Sequence, residues 1–160
     1  MTALNIKDSV TDFNLIGLNG EEYSLLKLLA KYEEACLVFF KVTCPTCIFT
    51  LPYVNSLFEY YPEAPIFAIS QDNQADSLIF KQKYNLNLPI LIDENLKVSE
   101  QFKLTNVPTT FEIKANYIIK NIIIGFSKPD YEKININLVN LTRLPKIELF
   151  NDKVPVYKPG

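Results

Sequence analysis

Cys44 and Cys47 are two thiols three residues apart, in Cys44-Pro45-Thr46-Cys47, and a pair at that spacing can close a small disulfide and open it again. The pair follows the apolar run Ala35-Cys36-Leu37-Val38-Phe39-Phe40 and precedes an amphipathic segment. A strand that ends just before such a pair, with a helix beginning on it, sets the first sulfur at a helix N-terminus. Unpaired N–H groups and the helix dipole there favour negative charge, so Cys44 is expected to form thiolate more readily than a free cysteine. The chemistry open to such a thiol is disulfide exchange.

Composition removes most other chemistries. The 160 residues contain no histidine, which eliminates Ser-His-Asp and Cys-His nucleophile pairs and zinc sites of Cys/His type. Two thiolates fall short of the roughly four ligands of a structural zinc site, so no metal is expected. Three cysteines are too few for a disulfide-stapled scaffold. Cys36, in the apolar run, reads as a small buried hydrophobe rather than a regulatory thiol. Net charge near −2 gives no electrostatic case for nucleic acid or an anionic membrane, and four glycines leave no phosphate-cradling loop. Glu21-Glu22 and Glu33-Glu34 are adjacent pairs whose side chains diverge, so they read as solvated surface. Apolar stretches are strand-sized, below the roughly 20 residues of a membrane span. Met1 to Asp8 lack a basic segment followed by an apolar one, so the expected setting is cytoplasmic; a removed leader would place the chain outside it.

The surrounding pattern is that of one α/β domain over 1–142, with a hairpin at 12–24 and an extended, peripheral tail at 143–160. Asp12 to Ile16 alternates as a half-buried strand, Gly17-Leu18-Asn19-Gly20 turns, and Glu22-Tyr23-Ser24 returns; Ser24 can cap a short helix. Cys36 to Lys41 and Ile66 to Ser70 read as buried strands. Apolar positions at Cys47, Leu51, Val54, Phe58 and Tyr61 mark one helix face, with Pro52 inside it. Asp72 or Asn73 can cap the next helix, to about Tyr84. Leu88 to Asp93, with Pro89, reads as an edge strand or a strand start, and Asn95 to Phe102 as a helix. Thr109 to Ile113 and Tyr117 to Ile124 form a hairpin, the second arm read as buried. Ser127-Lys128-Pro129-Asp130 starts a last helix whose buried stripe is Tyr131, Ile134, Leu138 and Leu141.

Phe13-Asn14-Leu15, the strand before the CxxC, Pro52, Val107-Pro108-Thr109-Thr110-Phe111 and Gly125-Phe126 together resemble the thioredoxin-like redoxins, nearest the TlpA/ResA and AhpC/TSA-like group. The likeness runs from about Asp12 to Leu141. It implies a thioredoxin-like fold, a mixed central sheet flanked by helices, with the hairpin as an N-terminal extension. It implies that Cys44 attacks a substrate disulfide, that Cys47 resolves the mixed disulfide, and that no cofactor is needed beyond the Cys44–Cys47 disulfide. It further implies a cis Pro108 beside the sulfurs, with Thr43, Pro45, Thr46, Val107 and Pro108 contacting a substrate strand that pairs with the Val107 backbone. The implied partners are a disulfide-containing protein and a dithiol electron donor.

Several positions depart from the family pattern. Thr43 stands where tryptophan is usual, and Val38 and Thr50 stand where the two usual proton-handling carboxylates lie. Water, Lys41 or Glu112 are left for that role, and Lys41 is also a candidate for tuning the thiol's acidity, although its first reading is an exposed strand-end lysine. Two alternatives stay open. A peroxiredoxin-like thiol peroxidase shares the fold, but Lys41 fills its threonine position and the one arginine, Arg143, falls in the tail. A non-catalytic thioredoxin-like binding module draws weight from the missing tryptophan and carboxylates.

Overall fold

The computed structural model describes residues 3–160; Met1 and Thr2, the start of the stretch read for an export signal, lie outside the described residues. In chain order the elements are β1 (Asn14–Gly17), β2 (Glu22–Ser24), α1 (Leu25–Tyr32), β3 (Glu34–Phe40), α2 (Pro45–Tyr60), β4 (Ile66–Ser70) and α3 (Gln74–Lys83). There follow β5 (Ile90–Ile92), α4 (Lys97–Gln101), β6 (Thr109–Lys114), β7 (Ile119–Ile124), β8 (Phe126–Ser127), α5 (Lys128–Thr142) and β9 (Tyr157–Lys158).

Seven strands make one mixed sheet in the order β2-β1-β5-β4-β3-β6-β7. β3 lies inside it, parallel to β4 and antiparallel to β6. That position explains its unbroken apolar run, because both faces of the strand are covered. Val38 and Phe40 join Cys47, Leu51 and Val54 of α2 and Tyr131 of α5 in one core. Leu37 and Phe39 face the other way, against Leu25 and Leu28 of α1, Val98 of α4 and Phe102. The N-terminal hairpin is part of the sheet, since β1 pairs with β5.

Capping follows the sequence signals. Ser24 Oγ accepts the Lys27 N–H at 3.1 Å, Asn73 Oδ1 accepts the Asp76 N–H at 2.8 Å, and Ser127 caps α5.

Several readings of the helices and the sheet change. Leu57, not Phe58, completes the buried face of α2, with Phe58 only half-buried. Leu141 is 51% exposed; its expected share of the α5 stripe falls to Asn135, fully buried because its amide accepts from the Tyr61 hydroxyl and donates to the Ile147 carbonyl. Of the two readings of Pro89, the strand start holds and the edge does not: β5 is interior to the sheet and Pro89 immediately precedes it, where a missing N–H breaks no ladder. β7 is the sheet's edge: Ile119 and Ile123 are buried while Ile124 is exposed, and the 7–10 segment covers part of it through Lys7 N–H to Ile119 C=O at 2.9 Å.

The stretch after α5 is irregular but not peripheral. Leu149 is buried, and Phe150 packs against Tyr53 and Phe126 with ring centroids 4.9 and 5.5 Å apart. Apolar side chains spaced without helix or strand period carried no sequence signal for that packing.

Candidate active site

β3 delivers the chain to the C-terminal end of the sheet, and a turn at Lys41 to Thr43 hands it to α2. Cys44 is the N-cap of α2, with extended backbone (φ −81°, ψ 118°), and Pro45 occupies the first turn, where no N–H is needed. The Cys44 sulfur accepts the Cys47 N–H at 3.1 Å, so it holds the place a serine or aspartate oxygen takes in ordinary caps. All three cysteines are free thiols. Cys44 is half-buried and reachable, whereas Cys47 is fully buried beneath it.

Burial, together with the hydrogen bond to Cys44, pushes the Cys47 thiol far above its ordinary range. The Lys41 backbone N–H works against that shift, and the Asp72 carboxylate adds to it. Lys41 thus enters the site through its backbone. Its carbonyl also accepts the Cys44 N–H at 3.2 Å, while the residue itself is exposed.

The Val107–Pro108 peptide is cis. It lies beside the dithiol: the Cys44 thiol donates to the Val107 carbonyl at 3.5 Å. Thr109 Oγ1 donates back to the Asn106 carbonyl at 2.7 Å, and the Gly125 N–H donates to the Pro108 carbonyl at 2.8 Å. The CxxC turn, the Val107-Pro108 loop and the Gly125 turn therefore form adjoining walls. Thr43 and Pro45 are exposed on the outer lip, and Thr46 is buried, its hydroxyl donating to the Pro159 carbonyl at 2.6 Å.

The departures from the family pattern have local explanations. Val38 is plain core, in register with Thr110 of β6, whose hydroxyl pairs with that of Tyr131 at 2.7 Å. Thr50 is satisfied within its own helix, donating to the Thr46 carbonyl at 2.6 Å. Glu112 faces Cys36 and not the dithiol; burial raises its pKa, and its charge adds to the burial that raises the pKa of the Cys36 thiol. Asp72, which the sequence marks only as a helix cap, is the carboxylate whose charge acts on Cys47. A topological signal existed: β3 and β4 are parallel with Phe40 opposite Ser70, so residues two beyond each, Val42 and Asp72, must meet. They do, the Val42 N–H donating to Asp72 Oδ2 at 2.8 Å.

Arg143 caps the C-terminal end of α5, where its neighbours Thr142 and Leu144 line a cavity with Pro62 and Glu63 past the far end of α2. A helix of 16 residues separates that end from Cys44, about 24 Å at 1.5 Å per residue. Among the described residues no three His, Cys, Asp or Glu converge as metal ligands, and no helix is long and apolar enough to cross a membrane.

Known proteins resemble this chain in sequence and in fold. The model of the AhpC/TSA family matches residues 6–123. Thiol-disulfide oxidoreductase ResA of Geobacillus kaustophilus (strain HTA426) is 31% identical over 136 residues, covering 82% of this chain and 77% of the relative. Among solved structures, StoA from Bacillus subtilis matches with a TM-score of 0.66 and 22% identity, over 78% of this chain and 95% of that one. Peroxidoxin BcpB from Mycobacterium tuberculosis matches with a TM-score of 0.69 and 22% identity, over 87% and 98%. At such identities the two structures speak for the thioredoxin-like fold alone. The family model and the ResA relative go further: the chain belongs to the AhpC/TSA family, on its ResA-like thiol–disulfide oxidoreductase side.

Proposed function

We propose that Cys44 is the attacking thiol and Cys47 the resolving one in the reduction of protein disulfides. The observation that carries the assignment is the difference in burial: a substrate sulfur can reach Cys44 and cannot reach Cys47. The Cys44 thiolate attacks one sulfur of the substrate disulfide, forming a mixed disulfide and releasing the other sulfur as thiolate, which takes up a proton. Cys47 then gives up its proton, attacks the Cys44 sulfur and releases the second substrate thiol. The dithiol has lost two electrons and the substrate has gained them, so neither metal nor cofactor enters the balance.

Asp72 is the group we assign to receive the Cys47 proton. Once Cys44 is in the mixed disulfide it no longer serves as a thiolate partner, so part of the upward push on Cys47 is relieved. Thr43, Pro45 and Thr46 would contact the substrate from the CxxC side, and Val107 and Pro108 from the other, with the Val107 backbone as the edge a substrate strand would pair with. In a cytoplasmic setting the pair runs as a reductant, and a dithiol protein returns it to the reduced state.

The test is an assay of the full chain for protein disulfide reduction and for peroxide consumption, beside Cys44→Ser and Cys47→Ser. Disulfide reduction lost in both variants supports the reading. Peroxide turnover without disulfide reduction overturns it in favour of a peroxidase, and absence of both favours a binding module.

A further inference from the structure

The last residues of the chain lie on the dithiol site. β9 pairs antiparallel with β8, Lys158 opposite Phe126 and Tyr157 opposite Ser127. Just before it, the Val156 carbonyl accepts the Lys128 N–H at 2.8 Å. Just after it, the Pro159 carbonyl accepts Thr46 Oγ1, inside the CxxC. Gly160 then meets the Val107-Pro108 loop so closely that a Cβ on it would fall 2.3 Å from the Val107 carbonyl oxygen. On the opposite flank a Cβ on Gly125, whose φ is +76°, would fall 2.5 Å from the Lys158 carbonyl oxygen. Residues without side chains on both sides are what allow these backbones to touch.

Four residues thus bridge all three walls: the CxxC turn through Thr46, the cis-proline loop through Val107, and the Gly125–Ser127 edge through β9. An extended substrate segment pairing beside Cys44 would need the same backbone groups. We propose that Tyr157–Gly160 is an internal occupant of the substrate groove, a strap that sets which disulfides the site accepts. A small disulfide reaches Cys44 past exposed Thr43 and Pro45; a polypeptide must first displace the strap. This rests on the reading of Cys44 as the attacking thiol.

The strap is built to be displaced. Its strand is two residues long, a length that is marginal alone, and Val156 and Tyr157 are 67% and 53% exposed. It is hinged on firmer ground, the packing of Leu149 and Phe150. Lys158 adds one contact, its ammonium 4.9 Å over the Phe49 ring.

Two variants of the full chain release the strap without touching the core: Gly160→Leu, whose side chain has no room against Val107, and Lys158→Pro, which removes a backbone N–H from the β8–β9 pair. The reduced proteins are alkylated with iodoacetamide and with a maleimide borne in the middle of a short unstructured peptide. Reduction of glutathione disulfide and of insulin is followed in parallel. An occupant present nine-tenths of the time lowers apparent access about tenfold, so peptide alkylation and insulin reduction should rise by about that factor, with iodoacetamide and glutathione disulfide rates unchanged. Peptide alkylation unchanged in both variants, or a gain shared by both reagents, overturns the strap. Because alkylation needs no turnover, a chain that reduces neither disulfide yet shows the peptide-selective gain keeps the strap and loses the function reading.

Discussion

Asp72 holds the Val42 N–H at 2.8 Å, two residues past the point where β3 and β4 stop pairing. The contact puts a carboxylate at the C-terminal end of the sheet, where its charge is felt by the buried Cys47 thiol. Positions 38 and 50, where the family pattern has its carboxylates, are here a core valine and a threonine bonded within its own helix. The carboxylate proposed to take the Cys47 proton lies instead in the loop after β4.

Replacing Asp72 by asparagine should slow resolution of the mixed disulfide. Asparagine keeps an oxygen for the Val42 N–H but cannot take a proton, and loss of a positioned base costs on the order of a hundredfold. Stopped-flow measurement should show the slow second step, with iodoacetamide alkylation of Cys44 unchanged. A fall in both rates would instead mean that Asp72 merely shapes the turn.

Stability of the reduced chain should fall as pH rises above about 8.5, the ordinary thiol value. Burial raises both Cys36 and Cys47 in the folded state. Above that pH the unfolded chain loses these protons while the folded chain keeps them. The unfolded state then binds fewer protons, and stability declines by up to about 1.4 kcal/mol per pH unit for each thiol. Denaturant titrations at several alkaline pH values should show the decline, with a shallower slope in Cys36→Ala. An unchanged slope in that variant would contradict the assignment.

Tyr131→Phe should cost about 1–2 kcal/mol, because the buried Thr110 hydroxyl loses its partner. The ring itself, stacked 5.7 Å from Phe126, is kept. Chemical denaturation measures the loss, and the alkylation rate of Cys44 should hold steady, which separates a packing role from one at the sulfurs.

How far the sequence spoke depended on whether its signals were local. The apolar run of β3, the caps at Ser24, Asn73 and Ser127, and a sulfur at the start of α2 are all set by residues within a few positions of one another, and all are legible. Leu141 failed because a buried asparagine with two partners displaced it, and no apolar pattern reports polar burial. Asp72 was hidden by a second plausible job as a cap. The tail was least legible: its docking uses backbone carbonyls, two glycines and aromatic contacts from distant elements, none of which leaves a period in the sequence.

The most direct measurement is mass spectrometry of the Cys47→Ser chain after mixing with a disulfide-bonded protein. With Cys44 as the attacking thiol and Cys47 as the only resolving one, the variant should accumulate a stable mixed disulfide, mapped to Cys44 and released by reductant. An adduct on Cys36, or no adduct while the parent chain still reduces the substrate, would contradict the account.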